Sequence, residues 1–210
     1  MYWMMLPFVI LACVYCADAW RGGKYSHLLK PLLMPVLLAG YIAAARPVQG
    51  LIIAGLALGF VGDVALMRKG DKAFIVGLGA FLLGHLMYAI WFMQRMGGMP
   101  GAWTLGYIAL VAAAGVLLYR HLRPGLGDMK PAVILYEAVI LVMSVAAFAL
   151  MLARPGWASA LIWLGSVSFI VSDSVLAQGI FLGERPRGHF AVMSTYTLAQ
   201  LLIALGAAMM

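Results

Sequence analysis

The sequence predicts an all-α membrane protein, a bundle of eight transmembrane helices in a single domain, residues 1–210. Of its 210 residues, 65% are hydrophobic and only 10% are charged, which is too little polar surface to cover a soluble globule. Its mean hydropathy is +1.02. Apolar runs close to the roughly 20-residue length that spans a bilayer occur at 4–20, 28–45, 51–67, 73–93, 102–119, 132–153, 157–178 and 190–209.

The first run is predicted to be a retained helix, because it has neither a basic segment before it nor a small-residue cleavage site. The net charge of +7 comes from basic residues dispersed among short loops, which argues against a nucleic-acid partner. Loops at one end of the bundle hold most of them, and the positive-inside rule places that end in the cytoplasm. We expect both termini outside, in a bacterial inner membrane. The cytoplasmic set is Arg21, Lys24, Lys30, Arg68, Lys69, Lys72, Arg120, Arg123, Lys130, Arg185 and Arg187.

Two patterns recur along the chain. Lys-Pro stands at the predicted start of helix 2 (Lys30) and again at that of helix 6 (Lys130). A small residue, Asp, two further residues and Leu stand in helix 3 around Asp63 and in helix 7 around Asp173. These recurrences predict two parallel four-helix repeats, residues 1–100 and 101–210, as in some transporters.

Asp63 and Asp173 are the candidate catalytic residues. Asp63 stands in the run GFVGDVALM (59–67) and Asp173 in FIVSDSVLA (169–177), both otherwise uncharged. Ionisable side chains are costly in hydrocarbon, so intramembrane acids usually face a bundle interior and mark function. Each lies near the cytoplasmic end of its predicted helix, so we expect the two at one depth.

Other polar side chains of the predicted helices are candidates to bind the substrate. Glu137 lies in the cytoplasmic half of its predicted helix, His85 and Tyr88 stand three residues apart on one helix face, and Tyr196 and Gln200 stand one turn apart. Interface anchoring of the tyrosines, snorkelling of the lysines and simple packing of the histidine are alternative interpretations. The candidates are Lys30, Lys130, His85, Tyr88, Tyr136, Glu137, Tyr196 and Gln200.

The four histidines are scattered, and none stands at close ligand spacing with an acid or another histidine. They are His27, His85, His121 and His189. We therefore predict no metal site and no cofactor.

The paired aspartate motifs, the helix-4 pattern GLGAFLLGHLMYAIWF and the helix-8 pattern TYTLAQLLIALG resemble the YhhN-like family of lysoplasmalogenase-type integral membrane hydrolases. The resemblance covers nearly the whole chain except the first helix and the loop before helix 8. It implies hydrolysis of the vinyl-ether bond of a lysoplasmalogen, a lysophospholipid, releasing a fatty aldehyde and a glycerophospho-base. The family aspartates correspond to Asp63 and Asp173, and membrane lipids are the other expected partners.

Vinyl-ether hydrolysis makes its own demands on the site. An acid must protonate the alkene carbon, and water must then capture an oxocarbenium-like species. Glycosidases divide similar work between two carboxyl groups, one protonated and one ionised. The sequence leaves open which aspartate takes which role. It also leaves open the head group and the oligomeric state. Lys30 and Lys130 are candidates to hold the phosphate as point charges.

A proton-coupled carrier is the alternative function. Parallel halves and intramembrane acids are also typical of carriers, in which Asp63 and Asp173 would relay protons. An enzyme would turn over lysolipid in detergent, whereas a carrier requires sealed vesicles and a gradient.

Overall fold

The computed structural model describes residues 2–97, 101–183 and 186–210, and over these ranges the chain is helical. Eight α-helices form within the described residues, which confirms the predicted all-α class. Most helix bounds lie within a few residues of the predicted ones. The helices are α1 (Leu6–Trp20), α2 (Ser26–Ala44), α3 (Gly50–Leu66), α4 (Asp71–Met96), α5 (Ala102–Leu122), α6 (Lys130–Ala153), α7 (Trp157–Leu182) and α8 (Gly188–Ala208).

The protein is an integral, multi-pass membrane protein. Among the described residues, 7 helices are long and apolar enough to cross a membrane, and α3 is a shorter apolar helix of 17 residues. Large apolar side chains on the outer surface are exposed, as a lipid-facing surface requires; Trp103 and Leu105 are examples. A 17-residue helix spans only about 25 Å. Helix α3 therefore reaches across most, but not all, of a typical hydrocarbon core.

The packing of the helices places α8 and α3 near the centre. Helix α8 packs mainly against α7 and also contacts α1, α2 and α3, while α3 packs against α4 and α2. Helix α5 lies at the periphery against α6 and α7. Four aromatic rings buried between the helices, those of Tyr41, Tyr88, Phe92 and Phe169, form much of the central core.

Glycines of α3 provide space for side chains of α4 and α8. A Cβ atom at Gly59 would lie 2.8 Å from Gln200 Nε2, and one at Gly55 would overlap the ring of Tyr88. Small residues at this spacing let a neighbouring backbone approach closely. One such approach exists, since a Cβ at Gly84 of α4 would lie 3.3 Å from the Gly55 carbonyl oxygen. In α3, Gly59 and Gly62 instead make room for the side chains of Gln200 and Phe81.

The Lys-Pro recurrence is only half confirmed. Lys130 begins α6 with proline in the first turn, but α2 begins earlier, at Ser26, so Pro31 lies inside the helix. The prediction that Lys30 opens helix 2 was therefore wrong. The side chain of Asp18 explains the earlier start, because it accepts hydrogen bonds from the Tyr25 N–H at 3.0 Å and from the Ser26 hydroxyl at 3.0 Å.

Corresponding helices of the two predicted halves pack in similar pairs. Helix α3 packs on α4, and the corresponding helix α7 packs on α8. Likewise, α4 packs on α6, and the corresponding helix α8 packs on α2. Superposition of the halves stays a prediction. One detail of the predicted symmetry is wrong: Asp63 lies in the last turn of α3, whereas α7 continues to Leu182, more than two turns beyond Asp173. Arg185, counted above among the basic loop residues, lies outside the described residues.

Candidate functional site

A polar chamber of about 520 Å³ opens where α1 and α3 end and α2 and α8 begin. We call this side of the bundle the basic end, because its loops and helix starts hold Arg21, Lys24, Arg68, Lys69 and Lys72. The chamber brings together side chains from six helices, including both candidate catalytic residues. Its polar lining comprises Tyr15, Ser26, His27, Lys30, Asp63, Ser172, Asp173, His189 and Tyr196.

Asp63 is buried and fully engaged by neighbouring helices. Its exposed fraction is 2%. Lys30 Nζ of α2 lies 3.4 Å from one carboxylate oxygen, and the Tyr196 hydroxyl of α8 donates to the other at 2.7 Å. Gln200 Nε2 lies 3.4 Å from that hydroxyl, and its Oε1 accepts a hydrogen bond from the Tyr88 hydroxyl at 2.7 Å. Five of the sequence-predicted site residues therefore form one connected network.

Asp173 has a sparser set of partners. The Tyr136 hydroxyl of α6 donates to its Oδ2 at 2.5 Å. Among the described residues, Asp63 is the only acid in an ion pair. No described cation therefore lies within ion-pairing distance of Asp173. The hydroxyls of Ser172 and Ser174 donate to backbone carbonyls of α8 and α7 instead of to the carboxylate. Asp173 thus has one hydroxyl donor where Asp63 has a hydroxyl and an ammonium.

An apolar cleft of about 150 Å³ lies between α4, α5, α6 and α7 and meets the chamber at Asp173. Its walls are almost entirely aliphatic and aromatic side chains, among them Phe74, Val111 and Leu141. The two spaces share the lining residues Leu66, Phe81, Asp173, Leu176 and Ile180. Asp173 is therefore the acid that borders both an apolar and a polar space.

Glu137 lies in the wall of the apolar cleft, on the helix that supplies Tyr136. Its Oε1 is buried without a hydrogen-bond partner among the described residues. A Cβ at Gly115 of α5 would lie 3.0 Å from that oxygen. The carboxyl group thus fits against a glycine notch and is not part of either aspartate's set of partners.

His85 lies between the two aspartate networks. Its exposed fraction is 1%, and both ring nitrogens lack a partner among the described residues. The ring makes edge-to-face contacts with the rings of Tyr136 and Phe169, at centroid distances of 5.6 Å and 4.8 Å. The ring of Phe169 in turn contacts that of Tyr196, at a centroid distance of 5.8 Å. His85 lines neither described cavity. Its ring contacts are with Tyr136, the tyrosine that holds Asp173, and with Phe169.

The two lysines that the sequence suggested as equivalent have different positions. Lys30 lies in the chamber, whereas Lys130 is exposed at the start of α6 and lines neither described cavity.

Sequence reasoning missed Tyr15, His27 and His189, which do line the chamber. The two histidines were considered only as metal ligands. Each is the second residue of a helix at the basic end, and this shared position was the sequence feature that could have identified them. Within the described residues, no three metal-binding side chains come together.

The chain is similar over most of its length to known proteins. A family model described as the YhhN family matches residues 25–207. Lysoplasmalogenase TMEM86B of Homo sapiens is 34% identical over 212 residues, covering 96% of this chain and 84% of that protein. Lysoplasmalogenase TMEM86A of Homo sapiens is 34% identical over 217 residues, covering 97% and 88%. The uncharacterized membrane protein YhhN of Escherichia coli O157:H7 is 27% identical over 193 residues, covering 90% and 88%. No solved structure matches the chain.

Proposed function

The chain belongs to the YhhN family, and from this premise we propose that it is a membrane-embedded lysoplasmalogenase that uses Asp63 and Asp173. It would hydrolyse the vinyl-ether bond of a lysoplasmalogen and release a fatty aldehyde and a glycerophospho-base. The observation that supports this most directly is the position of Asp173, at the junction of an apolar cleft and a polar chamber that also contains Asp63.

The two spaces match the two parts of a lysolipid. A lysoplasmalogen has a single apolar chain, attached through the vinyl ether to a glycerol that bears the polar head. With the chain in the cleft and the head in the chamber, the vinyl-ether carbons lie at the junction beside Asp173. This placement buries the chain against apolar walls, which is the favourable term in lipid binding.

The surroundings of the two acids support a division of roles. Lys30 beside Asp63 compensates a negative charge there, so we assign Asp63 as the ionised carboxylate. Asp173 is only partly exposed, borders the apolar cleft and pairs with no described cation, and an ionised carboxylate in such surroundings is costly. We therefore assign Asp173 as the proton donor. The Tyr136 and Tyr196 hydroxyls hold the two carboxyl groups in place.

The reaction can then be written with all protons accounted for. Asp173 donates its proton to the alkene carbon that is β to the ether oxygen, and positive charge develops on the carbon attached to that oxygen. Water attacks this carbon while Asp63 accepts a proton from the water, which gives a hemiacetal. Asp173 next removes the hemiacetal hydroxyl proton and Asp63 returns its proton to the departing glycerol oxygen. Aldehyde and alcohol form, one water is consumed and both acids regain their first state.

A direct assay tests the proposal. Protein purified in detergent should release aldehyde from a 1-alkenyl lysophospholipid and leave the 1-acyl analogue intact, since an ester lacks the alkene that Asp173 protonates. No membrane gradient should be needed. Aldehyde release that is absent in detergent, together with gradient-driven proton or solute movement in sealed vesicles, would replace the hydrolase with the carrier.

We also propose that the basic end faces the cytoplasm and that both termini lie outside. The support is the excess of Lys and Arg at that end, to which Arg187 at the start of α8 and Arg68 after α3 belong. The chamber would then open to the cytoplasmic leaflet of a bacterial inner membrane. A reporter fused after Met210 should be active only on the outer side, and activity in the cytoplasm would reverse this orientation.

A further inference from the structure

The mouth of the polar chamber contains two histidines that the proposed chemistry does not use. His27 is the second residue of α2, which begins at Ser26, and His189 is the second residue of α8, which begins at Gly188. Both line the chamber. Lys30, one helical turn after His27, lies deeper in the same space and contacts Asp63.

We infer that His27, Lys30 and His189 form a subsite for the phosphodiester of the lysophospholipid. The inference rests on the proposed function and names the part of the substrate that binds at the basic end. The three side chains approach the chamber from two separate helices, α2 and α8, so a phosphate between them can accept hydrogen bonds from both sides. Charge-assisted hydrogen bonds of this kind are the strong ones in proteins.

The ion pair with Asp63 leaves N–H donors of Lys30 available. An ammonium group has three N–H donors, and the Asp63 contact at 3.4 Å uses one. The side chain of Lys30 has an exposed fraction of 14%, whereas that of Asp63 has 3%. The ammonium therefore lies between the buried carboxylate and the open part of the chamber, where it can bind a phosphate oxygen and keep its ion pair.

His189 is held in position by the first helix. The hydroxyl of Tyr15 and His189 Nε2 are hydrogen-bonded at 3.0 Å, and the two rings make an edge contact at 6.1 Å. Tyr15 itself is fully buried. An oriented imidazole loses little freedom when it binds a ligand, and such preorganisation favours affinity.

The subsite is in the right place along the substrate. In a lysoplasmalogen only the glycerol backbone separates the vinyl-ether oxygen from the phosphate. The chamber likewise has Asp173 and Asp63 at its inner part and the two histidines where α2 and α8 begin. A head group held at the mouth would therefore present the vinyl ether to the acids.

Two substrates separate head-group binding from chemistry. The double variant His27→Gln/His189→Gln should raise KM for a choline lysoplasmalogen by roughly tenfold, the size expected for lost hydrogen bonds to a charged group, and leave kcat nearly unchanged. For 1-alkenylglycerol, which lacks the phosphate, neither constant should change. His27→Lys alone should keep most of the wild-type affinity, because a lysine ammonium also donates hydrogen bonds to a phosphate. The matched control is His121→Gln, since His121 is exposed near the end of α5 and lines neither described cavity.

A binding measurement completes the test independently of turnover. The soluble phosphodiester glycerophosphocholine should raise the Tm of the wild-type protein and shift that of the double variant much less. An equal KM increase for both substrates, or equal Tm shifts in wild type and variant, would overturn the subsite. Stabilisation by inorganic phosphate as strong as that by glycerophosphocholine would identify a free-phosphate site instead. Failure of the proposed function has a different signature: the wild type would release no aldehyde from either substrate.

Discussion

Asp63 and Asp173 stand in matching local sequences but in different surroundings. Asp63 is buried against α2 and α8, with an ammonium and a hydroxyl on its carboxylate. Asp173 has one hydroxyl, from Tyr136, and borders the apolar cleft. The motif around each acid therefore does not determine which groups bind its carboxylate. Side chains from neighbouring helices do.

The difference arises from how helices α2 and α6 meet the two acids. Lys30 lies within α2, one turn past the helix start, where it reaches Asp63. Its apparent equivalent, Lys130, is the first residue of α6 and is exposed. Helix α6 instead presents Tyr136, nearly two turns further along, to Asp173. A cation on one side and a phenol on the other give two carboxyl groups that can hold different charges.

The largest effects are expected from removing either acid. Asp173→Asn should lower kcat for aldehyde release by about 100-fold to 10,000-fold, the usual contribution of a general acid or base. Its stability should not fall, because asparagine is nearly isosteric and no described cation loses a partner. Turnover at saturating lysolipid and Tm in detergent measure the two quantities. Near-normal turnover of a well-folded variant would remove Asp173 from the mechanism.

Asp63→Asn should lose activity similarly and also lose stability. It leaves Lys30 without its carboxylate, and breaking a buried ion pair costs on the order of 3 kcal/mol. Adding Lys30→Met should restore the Tm but not the activity. The contrast between the two aspartates is lost if Asp63→Asn and Asp173→Asn have the same Tm.

The two tyrosines give the next smaller effect. Tyr136→Phe removes the hydroxyl that binds Asp173, and a hydrogen bond to a charged or proton-donating carboxyl group is worth roughly tenfold or more in rate. Tyr196→Phe should cost less, because Lys30 still holds Asp63. The steady-state kcat values of Tyr136→Phe and Tyr196→Phe show which variant loses more activity. A larger loss in Tyr196→Phe would mean that the ammonium does not position Asp63.

Gly59 of α3 leaves the space in which Gln200 and Tyr196 of the Asp63 network lie, and this role can be tested by substitution. Gly59→Ala places a methyl group 2.8 Å from Gln200 Nε2 and 3.3 Å from the Tyr196 hydroxyl, and overpacking of this kind costs about 1–3 kcal/mol. We expect a lower Tm and a modest fall in kcat. Gly79→Ala of α4 is the matched control, since a Cβ there meets nothing within 4 Å. Equal behaviour of the two variants would contradict the role of Gly59.

Much of the fold was predictable because lipid imposes a simple constraint, that each span be apolar and long enough. The intramembrane acids were predictable for the same reason, since a charge in an apolar run is conspicuous. The helix start at Ser26 was not, because it depends on the Asp18 side chain in the preceding helix. Nor was the pairing of Tyr136 with Asp173, because contact across helices depends on their rotation, which the apolar pattern of a membrane helix defines poorly.

The smallest effect on activity is expected at Glu137, the third intramembrane acid, whose role sharpens the comparison of the other two. Glu137→Gln should leave kcat close to that of the wild type, because the carboxyl lies in the cleft wall against Gly115 and outside both aspartate networks. Glu137→Met should raise stability by about 1–3 kcal/mol, the cost of a buried polar group without a partner, since Oε1 has none among the described residues. Turnover and Tm of the two variants, beside Asp173→Asn, measure this. A loss of kcat in Glu137→Gln as large as in Asp173→Asn would show that a third carboxyl takes part, and the assignment of acid and base to the two aspartates would have to be revised.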